Sequence, residues 1–179
     1  RPSGTALQIA QQRIREKNFL AKHGFPTVPF ASAVTLDALQ KAVKSIGTPV
    51  VIKTAEFGYD GKGQHQVSTL ADVENIWNAI GHREALVEKF VSLQSEVSVI
   101  AARGLDGTIA EYVLFKNCHR NHILDVATAP ADVDKSIAVR AVDIARGILD
   151  QLQYCGVLCV EYFITTEGDL LVNELAPRT

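Results

Sequence analysis

The segment "GVLCVEYFITTEGDLLVNELA" (156–176) reads as two apolar strands joined by the turn "TEGD", and the longest helical pattern of the chain, residues 132–153, comes directly before it. In that pattern Ile137, Ala141, Ile144, Ile148 and Leu152 recur every three to four residues, which predicts one apolar face. A helix with such a face must bury it against another layer. The segments "ALVEKF", "EVSVIAAR" and "TIAEYVLFK" are strand-like too, the last two separated by the turn "GLDG". The chain from Ala85 onward is therefore expected to form an antiparallel sheet with a backing helix.

The first half has a different grain. Residues 5–22 read as one helix, with Ser3 or Thr5 as its N-cap and Gly24 at its C-terminal end. "TLDALQKAVKSIG" is a second helix whose Leu36, Leu39, Val43 and Ile46 form one stripe before Gly47 closes it. "TLADVENIWNAIG" is a third, capped by Thr69 and closed by Gly81. Between the second and third helices, Val50, Val51 and Ile52 read as a buried strand, and "QHQVST" as its hairpin partner. The class is α+β: a small α/β lobe with a glycine-loop hairpin, then a larger antiparallel sheet lobe backed by helices. The expected divisions are a helical lead-in at 1–27, the small lobe at 28–91 and the large lobe at 92–179.

Composition narrows the function classes. The chain has 179 residues, 47% of them hydrophobic and 21% charged, with a formal net charge of −2. That balance gives no footprint of a nucleic-acid or membrane-surface binder, either of which favours a basic patch. No apolar run reaches the roughly 20 residues that span a bilayer. The start "RPSGTALQIAQQR" lacks the apolar core of a secretory signal. Cys155 and Cys159 have no second pair or histidine pair to complete a zinc pattern. They lie in the apolar stretch "YCGVLCVEYF" and are expected in the core, and reduced thiols fit a cytoplasmic protein.

Two stretches suggest chemistry. In "VVIKTAEFGYDGKGQ" a cation, Lys53, ends a strand, and Gly58, Gly61 and Gly63 follow. Backbone amides of a glycine loop can approach phosphate oxygens because no Cβ intervenes, and a lysine beside it can hold phosphate charge. The loop is not a Walker A motif, because GxxxxGK[ST] is absent. A flexible turn with a solvated lysine is the other reading. In "EYFITTEGDLLVNE", a four-residue loop at 166–169 pairs Thr165 with Leu170, and counting outward sets Glu161 across from Glu174. Opposed like charges destabilise a hairpin unless both are solvated, one is protonated, or a cation sits between them. Hard divalent ions such as magnesium bind carboxylates and bridge nucleotide phosphates. Glu88, in "LVEKFV", ends an apolar strand where the two grains meet, a natural place for a cleft. Exposed backbone groups there, with Glu88 and Glu96, are suited to a nucleotide's amino group and ribose hydroxyls.

Glycine hairpin, crossover strand and paired glutamates, in this order, resemble the ATP-grasp fold. Within it, "IKTAEFGYDGKGQ", "VEKFVSLQSEVSVIAAR" and "VEYFITTEGDLLVNELAPR" are similar to the 5-(carboxyamino)imidazole ribonucleotide synthetases of purine biosynthesis. The resemblance covers nearly the whole chain. It implies ATP-dependent carboxylation of aminoimidazole ribonucleotide by bicarbonate through carboxyphosphate, with ATP and Mg2+ as cofactors. By resemblance, Lys53 would hold phosphates beneath a loop of Gly58, Tyr59, Asp60, Gly61, Lys62, Gly63 and Gln64. Glu88, Lys89, Phe90 and Val91 would meet adenine, and Glu96 the ribose. Arg13 would lie near the phosphates, and His119, in "NCHRNHIL", in the nucleotide site or on an exposed loop.

On the same footing Glu161 and Glu174 would bind the metal, with Asn173 beside them. Tyr59 and Asp60 would face the reacting carboxylate and the substrate amine, and Arg178 the carboxyphosphate or substrate phosphate. Family members usually carry a domain before the first helix and a further sequence and domain after "APR", so the chain is expected to be a central domain with little or no synthetase activity alone. A full-length member could form a homodimer. Other ATP-grasp enzymes, of the biotin carboxylase or formate-dependent glycinamide ribonucleotide type, share the nucleotide half; "GYDGKG" and "NELAPR" favour the first reading. A nucleotide-binding module without catalysis has no need of paired metal carboxylates.

Overall fold

The computed structural model describes residues 2–56, 63–121 and 123–178. Gly58, Tyr59, Asp60, Gly61 and Lys62, to which the sequence assigns phosphate-covering and catalytic roles, lie outside the described residues. Helices α1 (Gly4–Gln11) and α2 (Arg13–Lys22) come first, followed by β1 (Phe30–Ala33), α3 (Leu36–Ile46), β2 (Val50–Thr54) and β3 (Gln64–Val67). A 3-10 turn (Leu70–Asp72) leads into α4 (Val73–Ala79), β4 (Ala85–Lys89) and β5 (Leu93–Arg103). The rest is β6 (Ile109–Glu111), β7 (Phe115–Arg120), β8 (Ile123–Thr128), α5 (Lys135–Gln151), β9 (Gly156–Thr165) and β10 (Leu170–Arg178). The chain divides into two compact units. One comprises Arg1–Gln11, Arg15–Thr27 and Ser92–Thr179; the other comprises Gln12–Ile14 and Val28–Val91.

The smaller unit is an antiparallel sheet in the order β1-β4-β2-β3. Alternation sends Val50, Ile52, Val67, Ala85 and Val87 to one face, where they share a core with Leu39, Ala42 and Val43 of α3 and with Val73 and Trp77 of α4. Thr35 caps α3, its Oγ1 accepting from the Ala38 amide at 3.2 Å, and Gly47 ends it at φ 78° with its amide on Val43 O. Val51, Lys53, Leu86 and Glu88 fall on the opposite face, where Leu86 packs with Ile14, Ala55 and Phe30.

The larger unit is built on an antiparallel sheet in the order β10-β9-β5-β7-β8, with β6 beside β5. One face, formed by Val97, Val99, Leu158, Val160, Tyr162, Ile164 and Val172, buries against Ala141, Ala145, Ile148 and Leu149 of α5 and against Ala6 and Leu20. Burying one such Leu or Ile side chain contributes about 1.5–3 kcal/mol. Asp134 starts α5 by accepting from the Ser136 amide at 3.0 Å.

Four expectations need correction. The single helix over 5–22 is interrupted at Gln12. There the Arg13 amide donates to Ala55 O and the Arg13 guanidinium to Thr54 O at 2.9 Å, so tertiary hydrogen bonds outweigh helical propensity. Thr69 does not cap α4: its hydroxyl donates to Asp72 Oδ2, and a 3-10 turn intervenes. "TIAEYVLFK" is two strands broken at 112–114, and β7 with β8 forms a hairpin that the pattern hid because every residue of β8 is exposed. The buried face of α5 is Ala141, Ala145, Ile148 and Leu149, rotated from the predicted stripe so that Ile137 and Ile144 lie at its margin.

Candidate functional site

With Val97, Val99, Val160 and Tyr162 committed to the core, their neighbours Glu96, Ser98 and Glu161 project from the other face of the larger sheet. Ser98 pairs with Glu161, and Glu161 with Glu174, so three polar residues lie in one cross-strand row. Arg178 Nη2 stands 3.9 Å from Glu161 Oε1. His119 Nδ1 stands 3.3 Å from Glu96 Oε2, and His119 belongs to strand β7 rather than to a loop. Beneath them Ser98 and Asn117, both buried, hydrogen-bond to each other at 3.1 Å.

The electrostatics follow from this crowding. Burial, then the nearby Glu174 carboxylate, raises the Glu161 carboxyl above its ordinary range, while Arg178 and His119 pull the other way. The Cys159 thiol, two residues along β9 and buried, is pushed up to about 11 by burial and by Glu161. Cys159 is buried but shares the face of Glu161 and not the apolar cluster of Leu158 and Val160, and Cys155 is only half-buried, so the expectation that both pack in the apolar core is corrected.

The opposition of the two glutamates depends on a bulge. Near the turn Leu170 pairs with Ile164, not with Thr165, and Val172 with Tyr162; the register then shifts so that Glu174 faces Glu161 and Asn173 is the extra residue. Two charged residues of α2 meet the backbone there. Lys17 Nζ donates to Asn173 O at 2.9 Å and Val172 O at 3.3 Å, and Glu16 Oε2 accepts from the Leu175 amide at 2.9 Å. Sequence reading passed over Glu16, Lys17, Ser98 and Asn117. No stripe or motif distinguishes a buried polar residue from an exposed one in "RIREKNFLAK".

The acidic pair fits a hard cation of the open kind. Glu174 is exposed, and among the described residues no cluster of three or more His, Cys, Asp or Glu could hold a metal unaided. An octahedral ion on two carboxylates takes its remaining oxygens from phosphate and water, which is how magnesium is held in phosphoryl-transfer sites.

On the outer face of the smaller sheet, Lys53 Nζ pairs with Glu88 Oε2 at 2.5 Å. The Arg13 guanidinium donates to the carbonyl of Thr54, the residue after Lys53. Gly63, at φ 71°, leaves the loop so close to β2 that a Cβ there would stand 2.6 Å from Thr54 Oγ1, and Gln64 pairs with Lys53. The exposed donors expected at this crossover are narrowed here. The amides of Lys89 and Phe90 do not project as donors, because they bond Pro29 O and Pro49 O, and Lys89 Nζ is bound to Gly47 O at 2.8 Å. Phe90 itself is exposed, and Val91 is the last residue of this unit.

The family described as the ATP-grasp domain matches residues 18–179. The N5-carboxyaminoimidazole ribonucleotide synthase of Bacillus subtilis is 39% identical over 178 residues, 99% of this chain and 47% of that protein. The crystal structure of the Staphylococcus aureus N5-carboxyaminoimidazole synthetase complexed with ADP superposes with a TM-score of 0.93 at 34% identity, over 99% of this chain and 47% of that one. Biotin carboxylase from Campylobacter jejuni reaches the same TM-score, 0.93, at 20% identity over 99% of this chain and 42% of its own, a likeness of fold alone. The chain spans about half the length of the curated relatives it matches.

Proposed function

This chain belongs to the ATP-grasp family, and from that premise we propose that it is the ATP-binding core of a 5-(carboxyamino)imidazole ribonucleotide synthetase, carboxylating aminoimidazole ribonucleotide with bicarbonate. The observation that carries the reading is Glu174 set opposite Glu161 on the polar face of the larger sheet. No helix among the described residues is long and apolar enough to cross a membrane, and the free thiols of Cys118, Cys155 and Cys159 suit a cytoplasmic protein. Identity favours this synthetase over biotin carboxylase, since the fold likeness is equal while identity is 34% against 20%.

In this reading Glu161 and Glu174 hold magnesium, with Asn173 beside them, and Glu96 and His119 serve the nucleotide. Lys53 and Arg13 serve its phosphates, Gly58 to Gln64 cover them, and Glu88 to Val91 line the adenine. Magnesium, when bound, neutralises charge on the phosphoryl oxygens. A bicarbonate oxygen attacks the γ-phosphorus, the bond to the β–γ bridging oxygen breaks, and carboxyphosphate and ADP result. The substrate amine then attacks the carboxyl carbon, phosphate leaves, and the amine gives up a proton. Arg178 steadies the carboxyphosphate or substrate phosphate, and Tyr59 and Asp60 face the carboxylate and amine. These steps need charge neutralisation and positioning, not a covalent nucleophile.

Calorimetric titration of the chain with ATP, with and without magnesium, tests the nucleotide half, with Glu161→Gln as the variant. Magnesium-strengthened binding that the variant loses is expected; binding indifferent to magnesium would refute the metal assignment. Release of ADP dependent on both aminoimidazole ribonucleotide and bicarbonate, by the full-length protein, tests the rest.

A further inference from the structure

We propose that Lys17 and Glu16 are positioning residues for the acidic pair. By holding the backbone on either side of the Asn173 bulge they keep Glu174 opposite Glu161, and so set the divalent-ion affinity of a site that neither residue belongs to. The inference rests on the assignment of the two glutamates to a divalent ion.

The register shows what is at stake. With Leu170 opposite Ile164, an unbulged hairpin would put Asn173 across from Glu161 and Glu174 across from Val160. Val160 is fully buried on the core face. Since side chains alternate, loss of the bulge turns Glu174 away from Glu161 and into apolar surroundings. One inserted residue therefore decides whether two carboxylates share a face.

A bulge leaves backbone groups outside the ladder, and those groups need other partners. Strand β10 is the edge of its sheet, so no further strand supplies them. The lead-in segment does. The Val172 amide donates to Pro26 O at 2.7 Å, Lys17 Nζ donates to the carbonyls of Val172 and Asn173, and Glu16 accepts from the amide of Leu175. Each charge meets the backbone group of matching polarity: ammonium on carbonyls before and at the bulge, carboxylate on an amide after it. Lys17 is 2% exposed and Glu16 3%, so these are charge-assisted bonds shielded from water. The family match begins at residue 18, which leaves both residues outside the matched span.

The test compares Lys17→Met, Lys17→Arg, Glu16→Gln, Glu174→Gln and the double variant Lys17→Met/Glu174→Gln in the full chain. Affinity for ADP is measured with and without magnesium, and backbone amide exchange is followed at Glu174 and Leu175. Outer residues that orient metal ligands are worth about 10–100-fold in metal affinity. Lys17→Met is therefore expected to cut the magnesium-dependent gain in ADP affinity by about tenfold or more and to speed exchange at 174 and 175, with metal-free ADP affinity unchanged. Glu16→Gln, which keeps an acceptor, and Lys17→Arg, which keeps the donor, should retain most of the gain. The double variant should be no worse than Glu174→Gln, because both changes remove the same ligand.

The proposal is overturned if Lys17→Met keeps the full magnesium-dependent gain, or if it weakens metal-free binding by the same factor. Should Lys17→Met fail to fold, Glu16→Leu is read by the same criteria. Failure of the two ideas is distinguishable. A Glu174→Gln variant that keeps the magnesium gain sinks the metal assignment and this inference with it; a sensitive Glu174→Gln beside an indifferent Lys17→Met sinks the inference alone.

Discussion

Lys53 Nζ lies 2.5 Å from Glu88 Oε2 across the neighbouring strands β2 and β4, and the two side chains retain only 12% and 4% of their exposure. The lysine assigned to phosphates and the glutamate assigned to the adenine side are thus one buried ion pair. The carboxylate fixes where the ammonium points. Removing either residue takes this ion pair from the one that stays buried, at about 3–5 kcal/mol, whereas replacing both by apolar residues is often near neutral. Lys53→Met and Glu88→Leu are each expected to lower the urea midpoint strongly, and the double variant to recover at least ~1 kcal/mol relative to the sum. Additive losses would show that the pair is not coupled.

Gly63 offers a second prediction. Its φ of 71° is left-handed, and a Cβ would lie 2.6 Å from Thr54 Oγ1. Gly63→Ala combines left-handed strain of about 1–2 kcal/mol with a clash. At about 2–4 °C per kcal/mol for a chain of this size, the melting temperature should fall by at least several degrees. Adding Thr54→Ala should restore the part due to the clash and leave the part due to φ. Full restoration would mean that backbone conformation contributes nothing there.

A pH dependence follows from two tyrosines. The Tyr162 hydroxyl, buried, donates to Ala141 O at 2.7 Å, and the Tyr154 hydroxyl to Val157 O at 3.2 Å. Burial raises both phenols above the ordinary tyrosine value, Tyr162 well above it. The folded chain therefore holds these protons more tightly than the unfolded chain does. Their contribution is complete below the ordinary value of about 10 and is lost as pH rises through the raised values. The urea midpoint should decline above about pH 10, and Tyr162→Phe should make that decline shallower while costing about 0.5–1.5 kcal/mol at neutral pH for the lost hydrogen bond, since Ala141 O, inside α5, keeps its helical partner. A decline as steep in the variant as in the parent would assign it to other groups.

How far the sequence carried the reading is clearest at the two glutamates. Their opposition was derived from a hairpin pairing Thr165 with Leu170, but the real pair is Ile164 with Leu170, and the bulge at Asn173 compensates for that one-residue slip. Period-two alternation in "GVLCVEYF" revealed strand and face because half of each strand is buried. It could not reveal the bulge, which is fixed by Lys17 and Glu16 some 155 residues or more away in the chain. The break at Gln12 escaped for the same reason, since its cause is a hydrogen bond to Ala55. Strand β8 escaped because both of its faces meet solvent, leaving no alternation to read. Local pattern reports burial; partners distant in sequence leave no trace in it.

The acidic pair should show opposite effects on stability and on function. A cross-strand pair of like charges costs a few tenths to about 1 kcal/mol, and in this protein burial of Glu161 adds to the repulsion from Glu174. Glu174→Gln keeps size and exposure while removing one charge, so the metal-free variant should melt about 1–3 °C higher than the parent. The same substitution removes an anionic ligand from the proposed ion. Magnesium with ADP should therefore raise the melting temperature of the parent by mass action and of the variant much less, so that the order of stability reverses on adding both. Thermal scans of parent and variant, with ADP alone and with ADP plus magnesium, decide the matter. A variant less stable than the parent without metal would show that the glutamates attract through a shared proton instead of repelling, and an equal magnesium response in both would remove Glu174 from the metal site.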